Sequence, residues 1–180
     1  AKEYPNLLKR DFSTDKINQK WVTDMTYIYT LSDGWCYLSS ILDLHSRKII
    51  AWRLSRQLET RLVIETLQDA LSTRTAADGL ILHSDRGSQY TSKEYNDYLE
   101  HHSIRHSYSA KGCPYDNSCI ESFHATIKKE CIYAETNVGY KDFQTCYDSI
   151  FKYIEGFYNS RRRHSKLNYL CPNEFEKQIA

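Results

Sequence analysis

The sequence predicts an α/β fold, a five-stranded mixed sheet flanked by helices. Three observations point there: three β-prone runs with short polar breaks over residues 20–55, alternating helical and short apolar segments over 59–109, and two helical stretches after residue 117. At 180 residues the chain can bury one sizeable core and is too short for two ordinary domains.

The elements follow in order. Residues 1–19 are polar and aperiodic and are expected to form an N-terminal arm or linker, leaving 20–180 as one core with a basic C-terminal helix and tail. "KWVTDMTYIYT" (20–30), "WCYLSSILDL" (35–44) and "SRKIIAWRLS" (46–55) are rich in β-branched and aromatic residues, which predicts an antiparallel meander. "ETRLVIETLQDALSTR" (59–74) has its apolar residues at helical spacing. "GLILHSD" (79–85) is too short for a stable helix and apolar enough for a buried, central strand. A helix over 91–102 is expected with Thr91 or Ser92 as its N-cap, and "IRHSYS" (104–109) supplies the fifth strand. A helix begins near Glu121. In the last helix, about 142–160, Phe143, Tyr147, Ile150, Ile154 and Phe157 form one apolar stripe.

Composition narrows the function. With 41% hydrophobic and 26% charged residues the chain has a soluble globular profile, and no apolar run approaches the ~18 residues of a membrane span. The first residues lack the apolar stretch of a signal peptide, and the absence of a starting Met suggests a fragment or a processed product. Six cysteines without a C-x-x-C pair are expected to be reduced thiols in a cytosolic protein. His101, His102 and His106 straddle a helix-to-strand junction, which argues against a shared metal face. The net charge of +1 gives no overall bias toward polyanions, but Arg161, Arg162, Arg163 and Lys166 cluster beside His164, as a nucleic-acid contact or a solvated helix end.

Three acids stand in informative positions. Asp24 lies inside a strand, where a carboxylate must be desolvated or paired. Asp85 ends the buried strand at its carboxyl edge, where open α/β sheets place their ligands. Glu121 opens a helix, and "SCIE" (118–121) also fits a capping box, which would account for it without any chemistry. On a helical wheel Lys128 falls within about 20° of Glu121, with Asn117, His124 and Ala125 on the same side, away from Ile120, Phe123 and Ile127. Carboxylates from separate elements suit hard cations such as Mg²⁺ or Mn²⁺, and two such ions support in-line displacement at phosphorus.

"WVTDMTYI", "HSDRGSQYTS", "SYSAKGCPYDNSCIESFHATIKKE" and "YNSRRRHSKLNYLCPNEF" occur in this order, with 35 residues (86–120) between Asp85 and Glu121. In these motifs the chain, from about Trp21 to Phe175, resembles the catalytic core of bacterial insertion-sequence transposases, the branch most similar to retroviral integrases. The resemblance implies a ribonuclease-H-like fold and an acidic triad, Asp24, Asp85 and Glu121, that holds two Mg²⁺ ions (Mn²⁺ substituting). It implies cleavage of transposon ends and attack of the freed 3′-hydroxyl on another phosphodiester. It extends roles in DNA contact to Lys128, Gln89, Arg161, Arg162, Arg163 and Lys166, and supporting roles to Asn117 and to Gly112 in the loop before the catalytic helix.

Partners implied are double-stranded DNA, both transposon ends and target, a second copy of the chain or more, and an N-terminal recognition module that is separate or missing here. The setting implied is the bacterial cytoplasm, on the nucleoid when acting on DNA, with no membrane. Two rivals stay open: a ribonuclease-H-like nuclease that only hydrolyses, and a non-catalytic DNA-binding domain.

Overall fold

The computed structural model describes residues 3–180. Three antiparallel strands come first: β1 (Lys20–Thr30), β2 (Gly34–Asp43) and β3 (Ile49–Ser55). They are followed by α1 (Thr60–Thr73), β4 (Ile81–Ser84), the single turn α2 (Ser88–Thr91), α3 (Lys93–His101) and β5 (Arg105–Tyr108). Strand order is β3-β2-β1-β4-β5, with β4 parallel to β1 and β5 parallel to β4. This is the five-stranded mixed sheet the sequence predicts. Of the two expected N-caps it is Ser92 that caps α3: its hydroxyl accepts from Tyr95 N, and the helix begins at Lys93.

The two-residue period of β1 divides the core. Trp21 faces α1 and α3, in a cluster with Leu67, Leu82 and Leu99. Val22 and Ile28 face the opposite layer, built from α4 (Ser118–Ile127) and α6 (Phe143–Tyr153), with Ile120, Ile127, Ile150 and Ile154. Between them lie a π-helical turn, Lys128–Ile132, and the short α5 (Tyr133–Glu135); α7 (Pro172–Ile179) ends the fold.

Two expectations change. The final long helix is not uniform: after Tyr153 it widens into a π turn, Ile154–Tyr158, which rotates the following side chains. The buried face runs through Cys146, Ile150, Ile154 and Tyr158, while Tyr147, before the π turn, and Phe157, within it, are 37% and 40% exposed. The segment expected as an arm, of which residues 1 and 2 lie outside the described residues, forms no helix or strand but packs on the core. Leu8 is buried and its N–H donates to Ser107 Oγ, and Tyr108 N donates to Pro5 O. Irregular contacts of this kind leave no periodicity to read.

Candidate active site

Sheet register brings two of the three acids together. β4 pairs with β1 only at Lys20–Val22, and the last pair is Val22 with His83. Asp24 and Asp85 each stand two residues beyond that pair, so the two-residue period sends both toward the α4 side, Asp24 from the middle of β1 and Asp85 from just past the carboxyl end of β4. Beneath Asp85 the strand end is fixed by buried His83, whose ring nitrogens lie 2.8 Å from Ser107 Oγ and 3.0 Å from Ser109 Oγ. Burial pushes that imidazole down to about 4, so it serves as a neutral hydrogen-bonding group.

Each aspartate spends one oxygen on backbone. Met25 N donates to Asp24 Oδ1 at 2.8 Å, and Gly87 N donates to Asp85 Oδ1 at 2.7 Å. Burial first, then the charge of Asp85, raises the Asp24 carboxyl to about 7, with Glu121 a smaller contributor and Lys128 acting against it. A half-buried pair of like-charged carboxylates with no direct ion pair to Lys or Arg is an electrostatic setting that a divalent cation relieves. His124 Nδ1 lies 3.7 Å from Asp24 Oδ2, but burial pushes this ring down to about 3, so the contact is not an ion pair.

Glu121 stands apart. It is exposed, on the first turn of α4, and lines a shallow groove of ≈350 Å³ with Asp85, Arg86, Lys111, Gly112 and Asn117. The capping box does not form: Asn117 occupies the cap position and no side chain caps the helix. A 3₁₀ turn, Pro114–Asn117, runs directly into α4, and Ser118 N donates to Tyr115 O within it, so the S-x-x-E pattern is not at a helix start. Among the described residues no three His, Cys, Asp or Glu side chains are drawn together tightly enough to enclose an ion. The aspartates are thus a pair, and Glu121 is a third carboxylate at the rim.

The supporting residues sort unevenly. Asn117 and His124, expected on the open side of the helix, are buried, because the sheet wraps under the first turns of α4. Neither amide atom of the Asn117 side chain has a protein partner, although the residue lines the groove between Asp85 and Glu121. Gly112 has φ +74°, a turn conformation that glycine adopts without strain. Its loop is pinned rather than loose: buried Asp116 accepts from Arg10 Nε at 2.6 Å, Asn6 Nδ2 at 3.0 Å and Ala110 N at 2.8 Å. Nothing in the sequence marked Asp116, since its partners come from the aperiodic segment. Gln89 sits half-buried in α2, directly after the Asp85 loop, and Lys128 opens the π turn close enough for its charge to act on Asp24.

Most of the arginine cluster shares one groove: Arg162, held by Glu130 through three hydrogen bonds of 2.9–3.1 Å, lines it with Arg163 and Lys166, while Arg161 is exposed outside it. Gly87 is the tightest point near the carboxylates: a Cβ there would lie 3.0 Å from Asp85 Oδ1. Gly87→Ala is therefore expected to push the Asp85 carboxylate aside while shifting the thermal midpoint little, as a crystal structure of the variant and thermal melting would register.

A family model described as integrase core domain matches residues 14–114, and a second with the same description matches 102–172. The chain is 43% identical over 173 residues to the transposase InsF for insertion sequence IS3fB of Escherichia coli (strain K12), covering 96% of this chain and 59% of that protein. It is 40% identical over 173 residues to the transposase for insertion sequence element IS904 of Lactococcus lactis subsp. lactis (strain IL1403), covering 96% of this chain and 67% of that protein. Its length is thus about three-fifths of the InsF relative's. Among solved structures it is similar to the HTLV-2 integrase catalytic core domain in complex with magnesium (trimeric form), with TM-score 0.65 and 14% identity over 88% of this chain and 95% of that one. That likeness speaks for the fold, which is ribonuclease-H-like.

Proposed function

Because the chain belongs to the integrase core domain family, with insertion-sequence transposases as its relatives, we propose that it is the catalytic core of a DNA transposase that cuts transposon ends and joins the freed 3′-hydroxyl to target DNA. Asp24, Asp85 and Glu121 are the proposed metal-holding residues. Two magnesium ions bound there would activate the attacking oxygen and stabilise the leaving oxygen of an in-line displacement at phosphorus.

What supports this most is Asp24. Its carboxyl is largely buried beside Asp85 and raised to about 7, with only the more distant charge of Lys128 acting against that rise. The donor set fits hard cations: one oxygen of Asp24 and one of Asp85 are anchored by backbone N–H groups, which leaves the other oxygen of each free to ligate. Glu121 closes the set from the rim of the groove when α4 and the 112–117 loop settle on DNA. Asn117, buried with an unpartnered amide, meets the substrate phosphate or a water there. Lys128 offsets the charge of the reacting phosphodiester. Activity on DNA calls for two ends in one assembly, so the working unit is at least a dimer. No helix among the described residues is long and apolar enough to cross a membrane.

Asp24 gives the proposal a pH signature. Below its ordinary value of 3.8 the group is neutral folded or unfolded. Between that value and about 7 the unfolded chain ionises while the folded one stays protonated, so metal-free stability falls as pH rises through this window. Metal binding displaces the same proton, so Mn²⁺ affinity should rise about tenfold per pH unit up to pH ~7 and then level. Calorimetric titration at several pH values reads this directly, and Asp24→Asn should flatten both trends.

The activity itself is tested by incubating the protein with end-labelled transposon-end duplex, target plasmid and Mg²⁺. Joined product carrying the label supports the proposal. Nicked ends that never become joined would favour the nuclease that only hydrolyses.

A further inference from the structure

The largest groove near α4 is not the one that holds the acids. A depression of ≈650 Å³ lies on another flank of that helix, between it, the β2–β3 turn and the tail that follows the last π turn. Ser118, Ser122 and Thr126, four residues apart, present one stripe of hydroxyls to it. Arg47, Arg163 and Lys166 stand around it, together with the exposed ring of Tyr169. No Asp or Glu is among the residues that line it, and none of these three cations takes part in an ion pair among the described residues. Outside the lining, Glu130 is held by Arg162, which also lines the groove, and Glu174 accepts from the N–H of Cys171 and feels the charge of Arg163 more weakly.

Arg47 is the member that the sequence did not single out. It occupies the turn with φ +59°, its N–H is bonded to Asp43 O, and its guanidinium reaches Cys119 Sγ at 3.1 Å, so the cation is fixed against the first turn of α4. The local field is positive. His164, which lines the same groove, is driven down to about 4 by burial and then by the charges of Arg162 and Arg47.

We propose that this groove is a seat for the phosphate backbone of duplex DNA, distinct from the carboxylate groove and about 100° round α4 from Glu121. It rests on the reading of this chain as a DNA-transposing core, and it carries the duplex away from the reacting phosphodiester. Dimensions agree with this. From Ser118 to Thr126 the helix rises ~12 Å, the span of three to four phosphates on one strand, against three cations and three hydroxyls. The hydroxyls and guanidinium groups contact phosphate oxygens, which positions a duplex without reading its sequence.

The test is a salt series of duplex binding, by fluorescence anisotropy with a 30-base-pair probe, on the protein and on the triple variant Arg47→Gln/Arg163→Gln/Lys166→Gln. Losing three phosphate contacts should flatten the slope of log K against log[salt] by about 2.7. Between 50 and 200 mM salt the unaltered protein should then lose about 40-fold more affinity than the variant. Ser122→Glu, which places a carboxylate in the groove and leaves every cation intact, should weaken binding as well. Mn²⁺ affinity at Asp24 and Asp85 should stay unchanged in both variants, and thermal melting monitors their folding.

An unchanged salt slope in the triple variant, with duplex binding and joining intact, would overturn the groove assignment and leave the catalytic proposal standing. Duplex binding absent from the unaltered protein would remove both. A competition arm with a free mononucleotide separates the remaining source of phosphate. If the variant lost mononucleotide binding and kept its duplex slope, the groove would be a small-phosphate pocket and the proposal would fail.

Discussion

On the proposed function, Asp85→Asn should abolish DNA cleavage and strand joining, an expected drop of at least about 10³-fold, with Asp24→Asn and Glu121→Gln behaving alike. The reasoning is electrostatic. Each substitution replaces a ligating anion by a neutral amide, and several kcal/mol of transition-state charge stabilisation at about 1.4 kcal/mol per decade amounts to three decades or more. The fold should survive, because none of the three carboxylates holds the core together. Asp24→Asn should even stabilise the metal-free protein near neutral pH, since it removes a buried acid repelled by Asp85. A joining assay paired with thermal melting checks both halves. An Asp85→Asn protein that melted normally and kept joining DNA would take that residue out of the chemistry. Glu121→Gln with full activity would do the same for the rim carboxylate.

The largest expected effect on stability belongs to a different aspartate. Asp43 ends β2 directly opposite Trp21 and is fully buried. Its Oδ2 accepts from Asn18 N at 2.7 Å and Trp21 Nε1 at 3.2 Å, and its Oδ1 from His45 N at 2.8 Å and Ser46 N at 3.3 Å. Asp43→Ala strands these donors in the interior, at a cost of about 3–5 kcal/mol. At roughly 2–4 °C per kcal/mol for a chain of this size, the thermal midpoint should fall by about 10 °C or more. Scanning calorimetry would show it, and Asp43→Asn, which keeps an acceptor oxygen, should lose less. A midpoint within a degree of the unaltered protein would mean that those N–H groups find other partners.

The contrast between Asp24 and Asp43 shows how far the sequence reaches. Both are acids in β-prone runs, and propensity alone treats them alike. What separates them is tertiary: Asp43 meets four N–H donors, two of them from the turn just after it and two from residues 18 and 21, whereas Asp24 meets one and faces another carboxylate. Only the ordered motifs and the 35-residue spacing from Asp85 to Glu121 directed attention to Asp24 rather than Asp43. The strands were legible because β-branched runs and turn residues are local signals. The π turns at Lys128–Ile132 and Ile154–Tyr158 were not, since one extra residue in a helix is a consequence of packing. For the same reason the burial of His124 against Asp24 was missed: the wheel gives an angle but not the depth of the sheet beneath it. Asp116 and Arg47 draw their roles from partners far along the chain or from turn geometry, which no window of sequence contains.

The capping box failed for an instructive reason. S-x-x-E is a signature of a helix that begins at the serine, but here a 3₁₀ turn containing Pro114 already supplies the first turn. Glu121 is thereby released from a backbone role and left exposed at the groove. Its neighbours divide α4 into two working flanks: Glu121 looks toward the aspartates, and Ser118, Ser122 and Thr126 look toward the basic groove.

The most direct test of the central claim is a crystal soaked in Mn²⁺ and measured at the manganese absorption edge, with and without a bound transposon-end duplex. Anomalous density shared by Asp24 and Asp85, joined by Glu121 when DNA is present, is the predicted result. Ordered Asp24 and Asp85 side chains with manganese bound elsewhere, or bound nowhere even with DNA in place, would contradict it.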